Sequence, residues 1–90
     1  MDRQVDVSIE YCQACNFRGR AAWLAQELLA EHEAGIAGLT LIPGRGGVFT
    51  VRVDGEVAFS NKEAGRLPEP RELKDALRAK LGLDPKPRHG

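Results

Sequence analysis

The chain has 90 residues and a mass of 9.8 kDa, with 13 basic against 13 acidic side chains and a formal net charge of zero. That length fits one core, and an uncharged whole excludes nucleic-acid or membrane-surface binding on electrostatics alone. Apolar residues at 42% argue against a disordered chain, and no run approaches the roughly 18 apolar residues of a membrane span.

Val5, Val7, Ile9 and Tyr11 alternate with Asp6, Ser8 and Glu10, the period of a strand with one buried and one wet face. This strand runs into Cys12-Gln13-Ala14-Cys15. Helical spacing follows over 17–34, with Phe17, Ala21, Leu24, Ala25, Leu28 and His32 on one stripe. Glu27 and Glu31 fall outside that stripe, and Gly35 and Gly38 end the helix.

Leu39 to Ile42 reads as a second strand, closed by Pro43-Gly44. A loop, Arg45-Gly46-Gly47, leads to a third strand over 48–53, and Glu56 to Ser60 is a fourth. Between them Asp54-Gly55 is the signature of a two-residue type I′ hairpin, whose central positions both need positive φ. Residues 61–68 read as a connecting loop. Glu69-Pro70-Arg71-Glu72 then opens a second helix, with proline in its first turn and acids at the positive dipole end. Leu73, Ala76, Leu77 and Leu81 form its apolar stripe, and Gly82 stops it.

The predicted order is β-α-β-β-β-α: an α/β domain over 1–82 with a mixed four-stranded sheet, followed by a loose tail over 83–90. A strand covered on both faces reads as a continuous apolar run. The first strand alternates instead, so both helices are expected on one face. Asp6, Ser8 and Glu10 would lie on the other face, left partly open. Arg71, Lys74, Arg78 and Lys80 read as a solvated helix edge.

Cys12 and Cys15 are the only cysteines. At a strand-to-helix junction, unpaired N–H groups and the helix dipole lower a thiol pKa. The i, i+3 spacing places both sulfurs on one side of the first turn, within the Cα separation a disulfide tolerates. Arg18 and Arg20 add positive charge nearby. A loop this short gains little closure entropy, so its disulfide is readily reduced. The alternative is a metal site. Zinc normally takes four ligands, and only His32 and His89 could supplement the cysteines. A strand feeding a helix within a βαβ unit favours redox chemistry.

An ordered set of motifs resembles the selenoprotein W-like (Rdx) family, within the wider thioredoxin-like selenoproteins that include selenoproteins T and H. The likeness covers roughly residues 4 to 81. Val7-Ser8-Ile9-Glu10-Tyr11-Cys12-Gln13-Ala14-Cys15-Asn16-Phe17 is similar to the family's opening. Gly46-Gly47-Val48-Phe49-Thr50-Val51 resembles its G-x-F-x-V strand, and Asp54-Gly55-Glu56-Val57 its hairpin. Ser60-Asn61-Lys62 and Gly65-Arg66-Leu67-Pro68 resemble the loop that follows.

The resemblance implies a thioredoxin-like fold and thiol redox activity, coupled to glutathione or another thiol. Cys15 stands where the family can carry selenocysteine, making this an all-cysteine version. Where ordinary thioredoxins place a cis-proline, this chain has Gly46-Gly47-Val48. These glycines either let backbone approach the cysteines or simply form a turn. Which sulfur attacks is also open. Helix position favours Cys12, and the family's selenium placement favours Cys15.

The functional expectation is a thiol–disulfide redox protein of the cytoplasm with a reversible Cys12–Cys15 bond. No bound cofactor is expected. Glutathione is a candidate co-substrate, protein thiols are candidate partners, and the expected state is a monomer or weak homodimer. Candidate substrate or partner contacts are Arg18, Trp23, Gly46, Gly47 and Phe49. Trp23, outside the apolar stripe, either marks a partner surface or packs against the loop before the third strand. The rival class is a non-enzymatic interaction module using Trp23 and the open sheet face, its cysteines at most a switch.

Overall fold

The computed structural model describes residues 3–84. Four strands and three helices follow in the order β1 (Val5–Cys12), α1 (Arg18–His32), β2 (Ile36–Gly44), β3 (Phe49–Val53), β4 (Glu56–Ser60), α2 (Asn61–Ala64) and α3 (Pro70–Lys80). The sheet runs β2-β1-β3-β4, with β1 parallel to β2 and antiparallel to β3.

Alternation in β1 gives a core face and an open face, as expected. Val5, Val7, Ile9 and Tyr11 are buried with Phe49, Val51 and Val53 of β3, under Leu24 and Leu28 of α1 and Leu73 and Leu77 of α3. Both helices cover this face. On the other, Asp6 is exposed, Ser8 and Glu10 are half-buried, and Glu10 lies 3.6 Å from Arg52.

β2 is longer than local propensity predicts. Its ladder with β1 runs from Val5↔Ile36 to Cys12↔Gly44, recruiting Gly38, Pro43 and Gly44. Pro43 is tolerated because β2 is an edge strand. The hairpin is as expected, with φ of 53° at Asp54 and 82° at Gly55. Asp54 also ties the hairpin to the start of β1: its Oδ1 accepts from the Asp6 N–H at 2.9 Å, and its own N–H donates to the Asp6 carbonyl at 2.8 Å.

Three expectations need correction. The segment expected to be loop over 61–68 contains the single-turn helix α2, closed by Gly65 at φ 73°. The cationic edge of α3 is not simply solvated: Lys74 pairs with Glu27 at 3.0 Å, Arg78 with Glu31 at 3.5 Å, and Lys80 with Glu56. Packing α3 against α1 brings Lys74 and Arg78 to Glu27 and Glu31, which lie outside the α1 apolar stripe, and Lys80 reaches Glu56 at the start of β4. The expected loose tail is also tied down at its start. Gly82 sits at φ 74°, the Leu83 N–H donates to the Arg78 carbonyl at 2.8 Å, and Arg78 Nε donates to the Asp84 carbonyl at 2.7 Å. The Leu83 bond, with that of the Gly82 N–H to the Ala79 carbonyl at 3.1 Å, makes a glycine-capped helix end. The remainder of that tail lies outside the described residues.

α3 begins with a full capping box, in which Glu69 and Glu72 satisfy each other's backbone N–H groups and Pro70 occupies the first turn. The Arg66 guanidinium grips the Glu72 carboxylate at 2.6 and 2.7 Å. That hydrogen-bonded pair, with the Glu69 N–H adding to it, holds the Glu72 carboxyl down at about 2. A carboxyl depressed on folding stabilises above its unfolded pKa and loses that stabilisation as pH falls through the folded one. The urea midpoint should therefore drop between about pH 4.5 and pH 2, and Glu72→Gln should remove that component of the drop. Solvent screening at this half-exposed site keeps the effect small.

Candidate functional site at the end of the first strand

Cys12 closes β1 and Cys15 closes a 3-10 turn, Gln13–Cys15. The two are joined as a disulfide with Cα atoms 5.4 Å apart, inside the normal range for such a bridge. The sulfurs do not sit on the first turn of the long helix, as the spacing suggested. Asn16 takes a left-handed conformation at φ 63°, breaking the chain direction, and α1 starts only at Arg18. Asparagine is one of the few residues that adopts this conformation readily. The consequence is asymmetric exposure. Cys12 is 1% exposed, while Cys15, on the turn, is half-buried.

The 45–48 loop holds the buried cysteine in place. The Cys12 N–H donates to the Val48 carbonyl at 2.7 Å. Gly46 and Gly47 have φ of 73° and 75°, a left-handed pair that residues with a Cβ avoid. A Cβ at Gly46 would meet nothing within 4 Å, and one at Gly47 would meet only Lys62 Nζ at 3.5 Å. Of the two readings of these glycines, backbone conformation is therefore the reason for them within the molecule, not close approach. Crowding acts instead at Gly44, beside Cys12 in register, where a Cβ would lie 2.8 Å from Glu10 Oε2 and 2.9 Å from Val48 Cγ1.

Asn61 anchors the loop from α2. Its Oδ1 accepts from the Phe49 N–H at 2.8 Å, and its Nδ2 donates to the Gly47 carbonyl at 2.7 Å. Lys62 Nζ donates to the Gly46 carbonyl at 2.5 Å. An asparagine at the end of a strand carries no local signal for this role; only the Ser60-Asn61-Lys62 motif points to this loop. Asn61→Ala leaves a part-buried donor and acceptor without partners, so it should lower stability by about 1–3 kcal/mol. Urea denaturation measures this, and Asn61→Asp, which keeps the acceptor for Phe49, should fall between the two.

The five candidate contact residues separate. Arg18 is exposed at the start of α1. Trp23 is 45% exposed, with the Arg20 guanidinium 5.4 Å above its ring. Gly46 is exposed and Gly47 half-buried, both on the loop beside Cys12. Phe49 is a correction: it is 0% exposed and meets Phe17 edge to face at 5.9 Å. It supports the site from below and is out of reach of any substrate. Beside the cysteine turn lies a cleft of about 520 Å³, lined by Tyr11, Gln13, Asn16, Arg18, Gly19 and Pro43. Among the described residues no three His, Cys, Asp or Glu side chains converge as a metal site would need.

A mixed α/β sheet with a Cys-x-x-Cys disulfide at the end of its first strand defines a small dithiol protein of thioredoxin-like architecture. The chain belongs to the Rdx family, whose model matches residues 6–79. It is similar to a crystal structure of a selenoprotein W-related protein from Vibrio cholerae, with 34% identity and a TM-score of 0.85 over 88% of this chain and 99% of that one. A Bordetella parapertussis crystal structure is similar at 37% identity and a TM-score of 0.84, covering 88% of this chain and 100% of that one. Among curated proteins it is 30% identical over 81 residues to migration and invasion enhancer 1 of Mus musculus, spanning 90% of this chain and 69% of that protein.

Proposed function

We propose that the protein performs thiol–disulfide exchange through a reversible Cys12–Cys15 disulfide, with glutathione or a protein thiol as its partner. The observation that carries this reading is a bridged pair in which Cys12 is buried and Cys15 is partly exposed. That asymmetry supports Cys15 as the first attacker. Its thiolate attacks one sulfur of a partner disulfide, forming a mixed disulfide and expelling one partner thiolate. The Cys12 thiolate then attacks the Cys15 sulfur, closes the internal bond and expels the second. Two electrons pass from the dithiol to the partner, and the two thiol protons end on the released thiols. The pair itself supplies both electrons, so the reaction calls for no bound cofactor. A reducing compartment such as the cytoplasm returns the pair to its dithiol form.

The test is a titration of the pair in glutathione buffers, read by Trp23 fluorescence and by the alkylated mass of the protein. One two-electron transition is expected. A pair that stays as two thiols at every accessible potential overturns the proposal.

A second reading, an interaction module, is favoured by exposed apolar side chains: Trp23 at 45%, Ile42 at 38% and Val57 at 53%. A module of this kind keeps its partner in both Cys12→Ser and Cys15→Ser, whereas an exchange protein loses turnover in each.

A further inference from the structure

Bond exchange needs only the two sulfurs, yet the cleft beside them carries chemistry of its own. It lies past the C-terminal ends of the parallel strands β1 and β2, bounded by Tyr11 and Pro43, where open α/β sheets receive ligands. Tyr11 is 8% exposed, and its hydroxyl has no hydrogen-bond partner among the described residues. A phenol buried to that degree ordinarily has one. No polar side-chain atom among the described residues is both sealed from solvent and unpartnered. The hydroxyl therefore keeps its access through the cleft it lines.

The opposite wall is the start of α1, built against the usual rules for a helix N-terminus. The Ala21 N–H is the first to reach a carbonyl, that of Phe17 at 2.9 Å, which leaves the N–H groups of Arg18, Gly19 and Arg20 unpaired. No side chain caps this end, and its first turn holds no acid. Instead it carries Arg18 and Arg20, two cations at the positive pole of the dipole. Arg20 lies over Trp23, while Arg18 has no ion-pair partner among the described residues. The same chain caps α3 completely, with an acid at each capping position. A local rule broken at one helix and kept at another marks a functional constraint, and what the first turn of α1 lacks is an anion.

We propose that this cleft takes a carboxylate of the disulfide substrate, with the Tyr11 hydroxyl donating to it and Arg18 supplying the opposing charge beside the free N–H groups of α1. The inference rests on the exchange reading of Cys12–Cys15 and adds the substrate class: an anionic disulfide. Glutathione disulfide carries this chemistry, and so does an acidic protein segment around a disulfide.

The experiment follows oxidation of the reduced full-length protein by three small disulfides that differ in charge: dithiodipropionate, hydroxyethyl disulfide and cystamine. The readout is the rate ratio of the anionic to the neutral compound, which cancels any change in thiolate population. At low salt the ratio should be about tenfold or more, an exposed charge pair supplying up to about fivefold and one hydrogen bond the rest, and 0.5 M NaCl should remove the charge-pair share. Arg18→Gln should lower the ratio about fivefold, and Tyr11→Phe should lower it about threefold, the loss of one hydrogen bond. Arg71→Gln, an exposed cation on α3, should leave the ratio alone. A wild-type ratio near one, or a ratio unmoved by both cleft variants, overturns the inference while leaving exchange intact. Failure of all three disulfides to oxidise the pair overturns exchange and this inference together. Glutathione disulfide, run beside a disulfide-linked peptide flanked by glutamates, distinguishes the two sources by which rate depends more on Arg18 and Tyr11.

Discussion

Cys12→Ser should trap a stable mixed disulfide at Cys15, whereas Cys15→Ser should react on the order of tenfold more slowly with the same disulfide, because a buried thiol reaches a partner poorly. Neither variant should complete a two-electron cycle. The argument rests on geometry. Cys12 is 1% exposed and its backbone is bonded to Val48, while Cys15 is presented on a 3-10 turn whose far side is released by the left-handed Asn16. Intact mass after brief exposure to glutathione disulfide checks the result, since one added glutathione on Cys12→Ser is the expected product. Fast modification of Cys15→Ser, with Cys12→Ser unmodified, would reverse the assigned roles.

Phe49→Ala should cost about 3–5 kcal/mol, the usual cost of emptying a buried aromatic site. Stabilities of small domains run to roughly 5–15 kcal/mol, so this variant should be close to unfolding at 37 °C. Phe49 is completely buried among core residues of β1, β3 and both long helices, and its ring meets Phe17 just ahead of α1. Its N–H is also the donor that Asn61 accepts. Phe49→Leu retains most of the volume and should lose much less. A loss below about 1 kcal/mol in Phe49→Ala would mean that the ring does not support the site. In the folded fraction, Cys12 of the reduced protein should be alkylated faster, because Phe49 directly follows Val48, whose carbonyl accepts the Cys12 N–H.

Phe49 and Arg18 show how far the sequence reaches into the site. Both are candidate substrate or partner contacts by sequence. Phe49 lies in a strand whose residues read as buried or exposed only once the neighbouring strands are placed. β3 lies between β1 and β4, which puts Phe49 under the helices. Arg18 is exposed at the start of α1, a position set by the local helix boundary. The ion pairs of α3 were illegible for the first reason: Lys74 and Arg78 meet Glu27 and Glu31 across 47 residues of chain, and no spacing rule connects them.

What the sequence determined by itself was a set of features that repeat or turn within a few residues. The alternation of β1, the stripe of α1, the positive-φ hairpin at Asp54-Gly55 and the paired cysteines each depend on neighbours along the chain, so each could be read there. The cysteine exposure, the loop anchored by Asn61 and the Pro43 wall of the cleft depend on segments brought together by the sheet. The i, i+3 spacing of Cys12 and Cys15 permitted a disulfide, but it could not say which cysteine is the more exposed. That was decided by the left-handed Asn16 and the Val48 carbonyl, one a backbone choice and the other a contact across 36 residues. Long-range pairing leaves no periodic trace in a single chain, and so the chemistry was legible before its geometry.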